Sequence, residues 1–356
     1  MTVELDIRWR LGGRSAVEFE PQLFALLEEI GTCGSVLEAS RTLGLSYRHA
    51  WGMLKKWSKL LNGPLALLER GRGAKLSALG EKILWAQHRA KARLAPELES
   101  LASELNGEID AVVKARREAP LRIFASHGLA LGVLRDTVRE DAGVTLDLQF
   151  KGSLDSLRLF SSGKCDLAGF HLPEGRHGDR LASRYRRYLD NTADQLIHVV
   201  RREQGIYTAR GNPKRIKSVA DLARKGIRFV NRQPAAGTRL LFDLLLEDAG
   251  VEAESIRGYR TEEFTHMAVA AMVASGAADA GFGIRAAAAQ LGIGFVPVVM
   301  EDYYFAIRRE GLYRAPVKAL CQVLRDPGFR GRVATLPGYD AAGAGTVLGI
   351  DQVCRR

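Results

Sequence analysis

The sequence predicts a multidomain chain: an all-α N-terminal region followed by a larger α/β region. Three observations carry this. Residues 1–118 are mostly helical in pattern, residues 121–310 alternate short β-rich runs with helical runs, and the two styles meet near Pro120. A chain of 356 residues is also long enough for two domains or more.

The N-terminal elements come first. In "PQLFALLEEIG", Leu23, Leu26, Leu27 and Ile30 share one helical face. Ser35 to Glu38 fits the S-x-x-E capping box, so a second helix starts there, and Gly44 can take the left-handed turn that stops it. Ser46 can cap a third helix. Two helices joined by a tight glycine-containing turn make a helix-turn-helix. On the third helix, Ala50, Leu54, Trp57 and Leu61 fall on an apolar side, and Arg48, Gly52, Lys55 and Lys59 fall almost opposite. A basic, small-residue face can enter a DNA major groove, with Ser46, Tyr47, Arg48 and His49 nearest the base edges. Between Arg41 and Arg93 there are twelve Lys or Arg against two acidic residues, Glu69 and Glu81. That is the local field that phosphate binding needs. "LALLERGRGAKLSALG" then reads as a hairpin, with Ser77 starting another helix. A basic hairpin after a recognition helix is a wing, and Arg70, Arg72 and Lys75 are its candidate phosphate contacts. Residues 81–118, rich in charge, Ala and Leu, suit a connecting helix that either pairs with a twin or is a solvated spacer. Pro96 marks a kink or break in it.

The α/β region offers the strand runs 121–126, 144–150, 166–170, 196–200, 227–231 and 295–299. Several turns after strands carry hydroxyl or imidazole residues. In an open α/β domain, ligands bind at the carboxyl ends of strands, where helix-start amides add donors for an anion. Ser126, Ser153, Thr238 and Thr265 are the candidate hydroxyl donors, beside Gly237 and Arg239 at one helix start and His127, His171 and His266 in the loops. Any single Ser or Thr at a helix start is more often a plain cap; the repetition of similar turns carries the expectation.

Composition bounds the function classes. Hydrophobic content of 46% and charged content of 26% fit a folded protein, and a net charge of +11 favours an acidic partner such as nucleic acid. Cys33, Cys165, Cys321 and Cys354 are far apart, giving no zinc spacing and no disulfide ladder. The sequence reads as having no signal peptide and no membrane span, so a cytoplasmic location is expected. There is no G-x-S-x-G elbow, no H-E-x-x-H or H-x₃-H spacing, no Walker loop and no G-x-G-x-x-G after a strand. No enzyme activity, resident cofactor or metal is therefore expected.

Residues 34–84 resemble the winged helix-turn-helix of the molybdenum-responsive, ModE-like regulators, relatives of the LysR type. "LGLSYRHAW", the "PL" before the wing and "LSALG" after it carry the likeness, and the wing tip is shortened to "RGRGA". "SHG", "KGS", "AGFHL", "NRQPAAGTR" and "THMAVAAMVASGAADAGFG" resemble the periplasmic-binding-protein-like domain fused behind such a helix-turn-helix. The resemblance implies a one-component transcriptional regulator: operator DNA and a small anionic effector as partners, a homodimer or homotetramer, and two lobes joined by hinge strands. The implied layout is 1–80 for the winged domain and 81–120 for a linker or dimerisation helix. Residues 121–356 form the effector domain, with lobe I at 121–195 and 300–356 and lobe II at 196–299. Where relatives usually read "NRQRGSGTR", this chain has Pro234, Ala235 and Ala236, and Phe170 replaces a small residue. Molybdate or tungstate is the implied effector, and a small carboxylate such as formate suits the altered loop at least as well. A cytoplasmic anion-binding protein that acts through a protein partner is the alternative.

Overall fold

The computed structural model describes residues 3–12, 16–69, 73–113 and 120–354. The chain divides into two compact units, residues 6–91 and residues 92–356 together with the first five.

The first unit opens with a short antiparallel pair, β1 (Arg10–Leu11) and β2 (Val17–Glu18). Three helices follow: α1 (Pro21–Cys33), α2 (Val36–Thr42) and α3 (Tyr47–Leu60). A hairpin of β3 (Ala66–Glu69) and β4 (Gly73–Leu76) completes a winged helix-turn-helix. The local signals act as the sequence predicts. Ser35 Oγ accepts from the Glu38 amide at 3.3 Å, and Ser46 Oγ accepts from the His49 amide at 3.1 Å. Gly44 sits at φ 64° in the turn between α2 and α3. Leu23, Leu26, Leu27, Ile30, Ala50 and Trp57 are all fully buried, and Phe19 stacks on Trp57 with centroids 3.9 Å apart. The Glu20 carboxylate accepts from Trp57 Nε1 and pairs with Lys56. Leu61, expected on the apolar face of α3, lies just past its end and is half-buried. The Arg70 and Arg72 wing-tip contacts fall outside the described residues.

Helix α4 (Ala78–Val113) follows the hairpin, capped by Ser77, whose Oγ accepts from the Gly80 amide at 3.0 Å. The division between the units falls inside α4, between Lys91 and Ala92, and therefore within the segment predicted as linker. Of the kink or break expected at Pro96, the break does not occur, since the helix continues through it. A proline nitrogen cannot donate to the carbonyl four residues earlier, which here is that of Ala92. That carbonyl accepts from Thr265 Oγ1 at 2.7 Å instead, so the lost intrahelical bond is replaced from outside.

The second unit holds one large sheet. Its strands are β5 (Leu121–Ala125), β6 (Leu146–Phe150), β7 (Leu167–Pro173), β8 (Asp194–Thr208), β9 (Phe229–Arg232), β10 (Glu262–Glu263), β11 (Ala280–Ile284), β12 (Gly294–Arg308), β13 (Tyr339–Asp340) and β14 (Val347–Gly349). Their order is β10-β9-β11-β8-β12-β7-β5-β6, with β13 and β14 also pairing with β8. The helices are α5 (Leu129–Ala142), α6 (Ser153–Ser161), α7 (Arg176–Tyr185), α8 (Gly237–Asp248), α9 (His266–Ala274), α10 (Arg285–Gln290), α11 (Ala315–Arg325), α12 (Pro327–Ala334) and α13 (Ile350–Val353).

Strands β8 and β12 run antiparallel through both lobes for 15 residues each. Near one end β12 also pairs with β7, and near the other end β8 pairs with β11. The change from one lobe to the other thus lies within these strands, around Arg201 and Glu301, rather than at the strand ends. Each lobe keeps its own apolar core, one around Ile123, Leu134, Phe305 and Leu320, the other around Phe229, Leu241, Phe242 and Phe282.

The free edge of β6 is covered by α4. Ser100 Oγ accepts from the Phe150 amide and Ser103 Oγ from the Leu148 amide, each at 3.1 Å. Two serines three apart on the helix thus satisfy two amides two apart on an edge strand, which removes an exposed pairing edge. Among the described residues, no helix is long and apolar enough to cross a membrane.

Candidate functional site

Helix α3 presents its polar face outward. Ser46, Tyr47, Arg48, His49, Lys55 and Lys59 are all exposed, as is Lys75 on the wing. Trp51 Nε1 donates to the Tyr47 hydroxyl, which fixes that ring at the helix start. A shallow groove of about 480 Å³ runs beside these residues, lined by Ser46, Arg48, His49, Gly52 and the Lys56–Glu20 pair. Of the groove's lining, the sequence singled out Ser46, Arg48, His49 and Gly52, and not Glu20, Gln22, Met53 or Lys56.

The second site is built from strand ends. The turns after β5, β6 and β9 bring Ser126, Ser153 and Gly237 together, with Ser126 Oγ and Ser153 Oγ 3.3 Å apart. The approach is tight: a Cβ at Gly237 would stand 2.9 Å from Ser153 Oγ, and one at Gly152 would stand 2.2 Å from the Ala235 carbonyl oxygen. These glycines let the two lobes close on each other. Thr238, at the start of α8, accepts from Gln204 Nε2 at 3.1 Å. His171 stacks on Tyr303 at 4.2 Å, and His127 meets the Phe150 ring edge-on at 4.9 Å. His266 and Tyr207 both crowd Gly283 on β11.

Beside these residues lies a cavity of about 380 Å³. The turns after β5, β6 and β9 supply Ser126, His127, Gly152, Arg232 and Ala236, and α4 closes one side with Pro96, Ser100 and Glu104.

Three expectations change. Arg239 does not face the cavity as a free cation. Its guanidinium pairs with Asp243 at 3.0 Å and Glu262 at 3.1 Å and lies over the Tyr259 ring. Thr265 caps α9, accepting from the Ala268 amide at 2.9 Å, and its hydroxyl donates to the Ala92 carbonyl, so the hydroxyl is already engaged. Phe170 packs between Tyr185 and Tyr304 in the core, on the opposite side of β7 from His171, because neighbours on a strand face opposite ways.

The sequence reading missed the arginines. Arg202 on β8 is 2% exposed and pairs with the buried Glu301 of β12 at 2.6 Å. Burial works against its charge, and Glu301 outweighs that and holds it charged. Arg232, at the end of β9, is 3% exposed. Its Nε donates to Gln233 and one terminal nitrogen to the Phe264 carbonyl at 3.0 Å, while Nη1 is buried with no partner. Burial and then the like charge of Arg202 pull its pKa down to about 10, which still leaves it charged at neutral pH. Burial, followed by the field of the arginines, lowers all three imidazoles: His127 to about 4, His171 and His266 well below their ordinary value. They are neutral near pH 7. Gln204 Oε1, His266 Nδ1 and Tyr303 Oη are likewise buried without partners. The available signal was arginine just after an apolar run, in "LIHVVRREQG" and "IRFVNR".

Such an arrangement defines a two-lobed binding domain with a polar cleft at the carboxyl ends of its strands. The model of the PBP superfamily domain matches residues 135–325, more than half of the chain, and the chain belongs to that superfamily. It is 34% identical over 200 residues to the uncharacterised protein YvgK of Bacillus subtilis, covering 56% of this chain and 64% of YvgK. It is 34% identical over 97 residues to the molybdenum-pterin-binding protein MopB of Rhodobacter capsulatus, covering 26% of this chain and 36% of MopB. It is 37% identical over 62 residues to the transcriptional regulator ModE of Haemophilus influenzae, covering 17% of this chain and 24% of ModE. The chain thus spans just under two thirds of YvgK and smaller fractions of the other two.

Proposed function

We propose that this protein is a cytoplasmic, DNA-binding transcriptional regulator whose two-lobed domain closes on a small anion, either an oxyanion of the molybdate type or a small carboxylate such as formate. The observation that carries the reading is a cavity lined by a buried guanidinium with an unpartnered nitrogen, in a chain that also bears a winged helix-turn-helix with an exposed basic face. A buried donor without a partner is costly, and a bound acceptor relieves that cost. The relatives named ModE and MopB support regulation and molybdenum chemistry respectively, through matches to parts of their chains.

Helix α4 is the natural path between the two activities. It touches lobe II through Arg93 on Glu263 at 3.1 Å and through the Ala92 carbonyl, and lobe I through Ser100, Ser103 and the Glu99–Arg135 pair at 2.7 Å. A helix fixed to both lobes must shift when they close. An anion that prefers the closed form biases that shift. Pairing of two copies would place paired heads on an inverted-repeat operator.

The test has two arms. Thermal unfolding against molybdate, tungstate, sulfate, phosphate, formate, acetate and oxalate should show a selective rise in midpoint; no response to any of them removes the anion reading. Fluorescence anisotropy on the chain's own upstream DNA should show binding that Arg48→Ala weakens; equal binding removes the DNA reading.

A further inference from the structure

The cavity has a definite charge. Arg202 is neutralised by Glu301, Arg93 pairs with Glu263, and His127, His171 and His266 are uncharged near pH 7. Glu97 and Glu104 are exposed at the mouth, where water screens them, and Lys151 is half-buried with its Nζ 5.1 Å from the Phe124 ring centre. Among the fully buried groups that line the cavity, the uncompensated positive charge is the one on Arg232. Two of its three nitrogens are held by Gln233 and the Phe264 carbonyl, which aims the fork and leaves Nη1 for a guest.

Building on the anion reading above, we propose that Arg232 is the anchor of the effector and that the site is matched to a singly charged anion. A monoanion brings the interior to neutrality. A dianion replaces one buried uncompensated charge with another of opposite sign, and buried unpaired charge is strongly unfavourable. A carboxylate or nitrate oxygen suits Nη1, and Ser126 on the cavity wall adds a hydroxyl donor. Arg239, the cation that the helix start suggested, has no such vacancy, since Asp243 and Glu262 already hold it.

The experiment uses the full chain with sodium formate, acetate and nitrate against sulfate and molybdate at equal ionic strength, read by thermal unfolding and titration calorimetry. Monoanions should raise the wild-type midpoint while dianions leave it unchanged. Arg232→Gln should weaken monoanion binding roughly tenfold to a hundredfold, the usual weight of a charge-assisted hydrogen bond. Its unliganded midpoint should equal or exceed that of wild type, because an unpaired buried charge is gone. Arg232→Lys keeps the charge and loses the fork, so it should retain the preference for monoanions at reduced affinity. A wild-type response to dianions alone overturns the charge match and leaves the anion reading standing. Unchanged monoanion affinity in Arg232→Gln, or a variant that no longer folds, overturns the anchor. No response of wild type to any of the five overturns both this inference and the reading on which it rests.

Discussion

The two units use charge in opposite directions. In the winged unit every basic residue of α3 faces outward while Trp57 fills the centre. In the effector unit Arg202, Arg232, Glu263 and Glu301 face inward, each less than 5% exposed. Outward charge is available to a large polyanion and is screened by salt. Inward charge acts at short range in a medium of low polarity, where one unit more or less decides what can bind. On the proposed reading, the same residue types serve a long, repetitive partner in one unit and a small, discrete one in the other.

Trp57→Ala should give the largest break in that comparison. Emptying the centre of the winged unit costs about 3–5 kcal/mol. Calorimetry should show its transition lost or lowered and DNA binding abolished, while the anion response of the other unit survives. Loss of that response as well would mean that the two units do not fold independently. Next in size is Glu301→Gln, which strands Arg202 and should cost about 3–5 kcal/mol in urea unfolding. The matched surface change, Lys56→Ala, breaks an exposed pair with Glu20 and should stay within about 1 kcal/mol. Equal effects of the two would erase the distinction between inward and outward charge.

A smaller effect should follow pH. His127, His171 and His266 have folded pKa values depressed below 6.5, chiefly by burial. The unfolded chain therefore takes up protons that the folded chain refuses. Their contribution is complete above pH 6.5 and falls as the pH drops, across a window reaching about 4 for His127. The slope is up to about 1.4 kcal/mol per pH unit for each imidazole. Urea midpoints from pH 7.5 to 4.5 test this, and a flat profile would mean that the imidazoles are charged in the folded state.

The smallest and most pointed change is Gly52→Ala. Gly52 is exposed in the middle of α3, and a Cβ there would meet nothing within 4 Å. Alanine should stabilise the helix by about 0.5–1 kcal/mol. It should also weaken DNA binding, because a methyl group then stands between the helix and the groove. Greater stability with unchanged affinity would remove Gly52 from the interface.

The same contrast explains what was legible in the sequence. The caps at Ser35, Ser46 and Ser77, the turn at Gly44 and the buried face of α3 depend on residues within a turn or two of each other, and all were read correctly but for Leu61, which lies past the end of α3. The six strand runs named fall on β5 to β9 and β12, but β11 was not among them, and the implied hinge strands were not foreseen as the 15-residue β8 and β12. Arg202 and Arg232 could not be read as inward-facing, because that depends on register. Arg202 meets Glu301 only through the pairing of β8 with β12, nearly a hundred residues apart. Arg239 was overvalued for a related reason. Its helix-start position was visible, but one of its carboxylate partners, Glu262, comes from β10 on the far side of β9. Thr265 proved to be both the plain cap and something the sequence could not show, a donor to α4.

That last contact gives Pro96 a meaning beyond helix geometry. An alanine at 96 would leave α4 self-sufficient, able to lift away intact. With proline, the helix carries an acceptor it cannot use, and only the lobe beneath can fill it. The helix is thus chemically incomplete on its own. On the proposed reading, in which α4 carries the signal, moving it away costs the Ala92 carbonyl its donor, so that movement has a threshold set by the backbone.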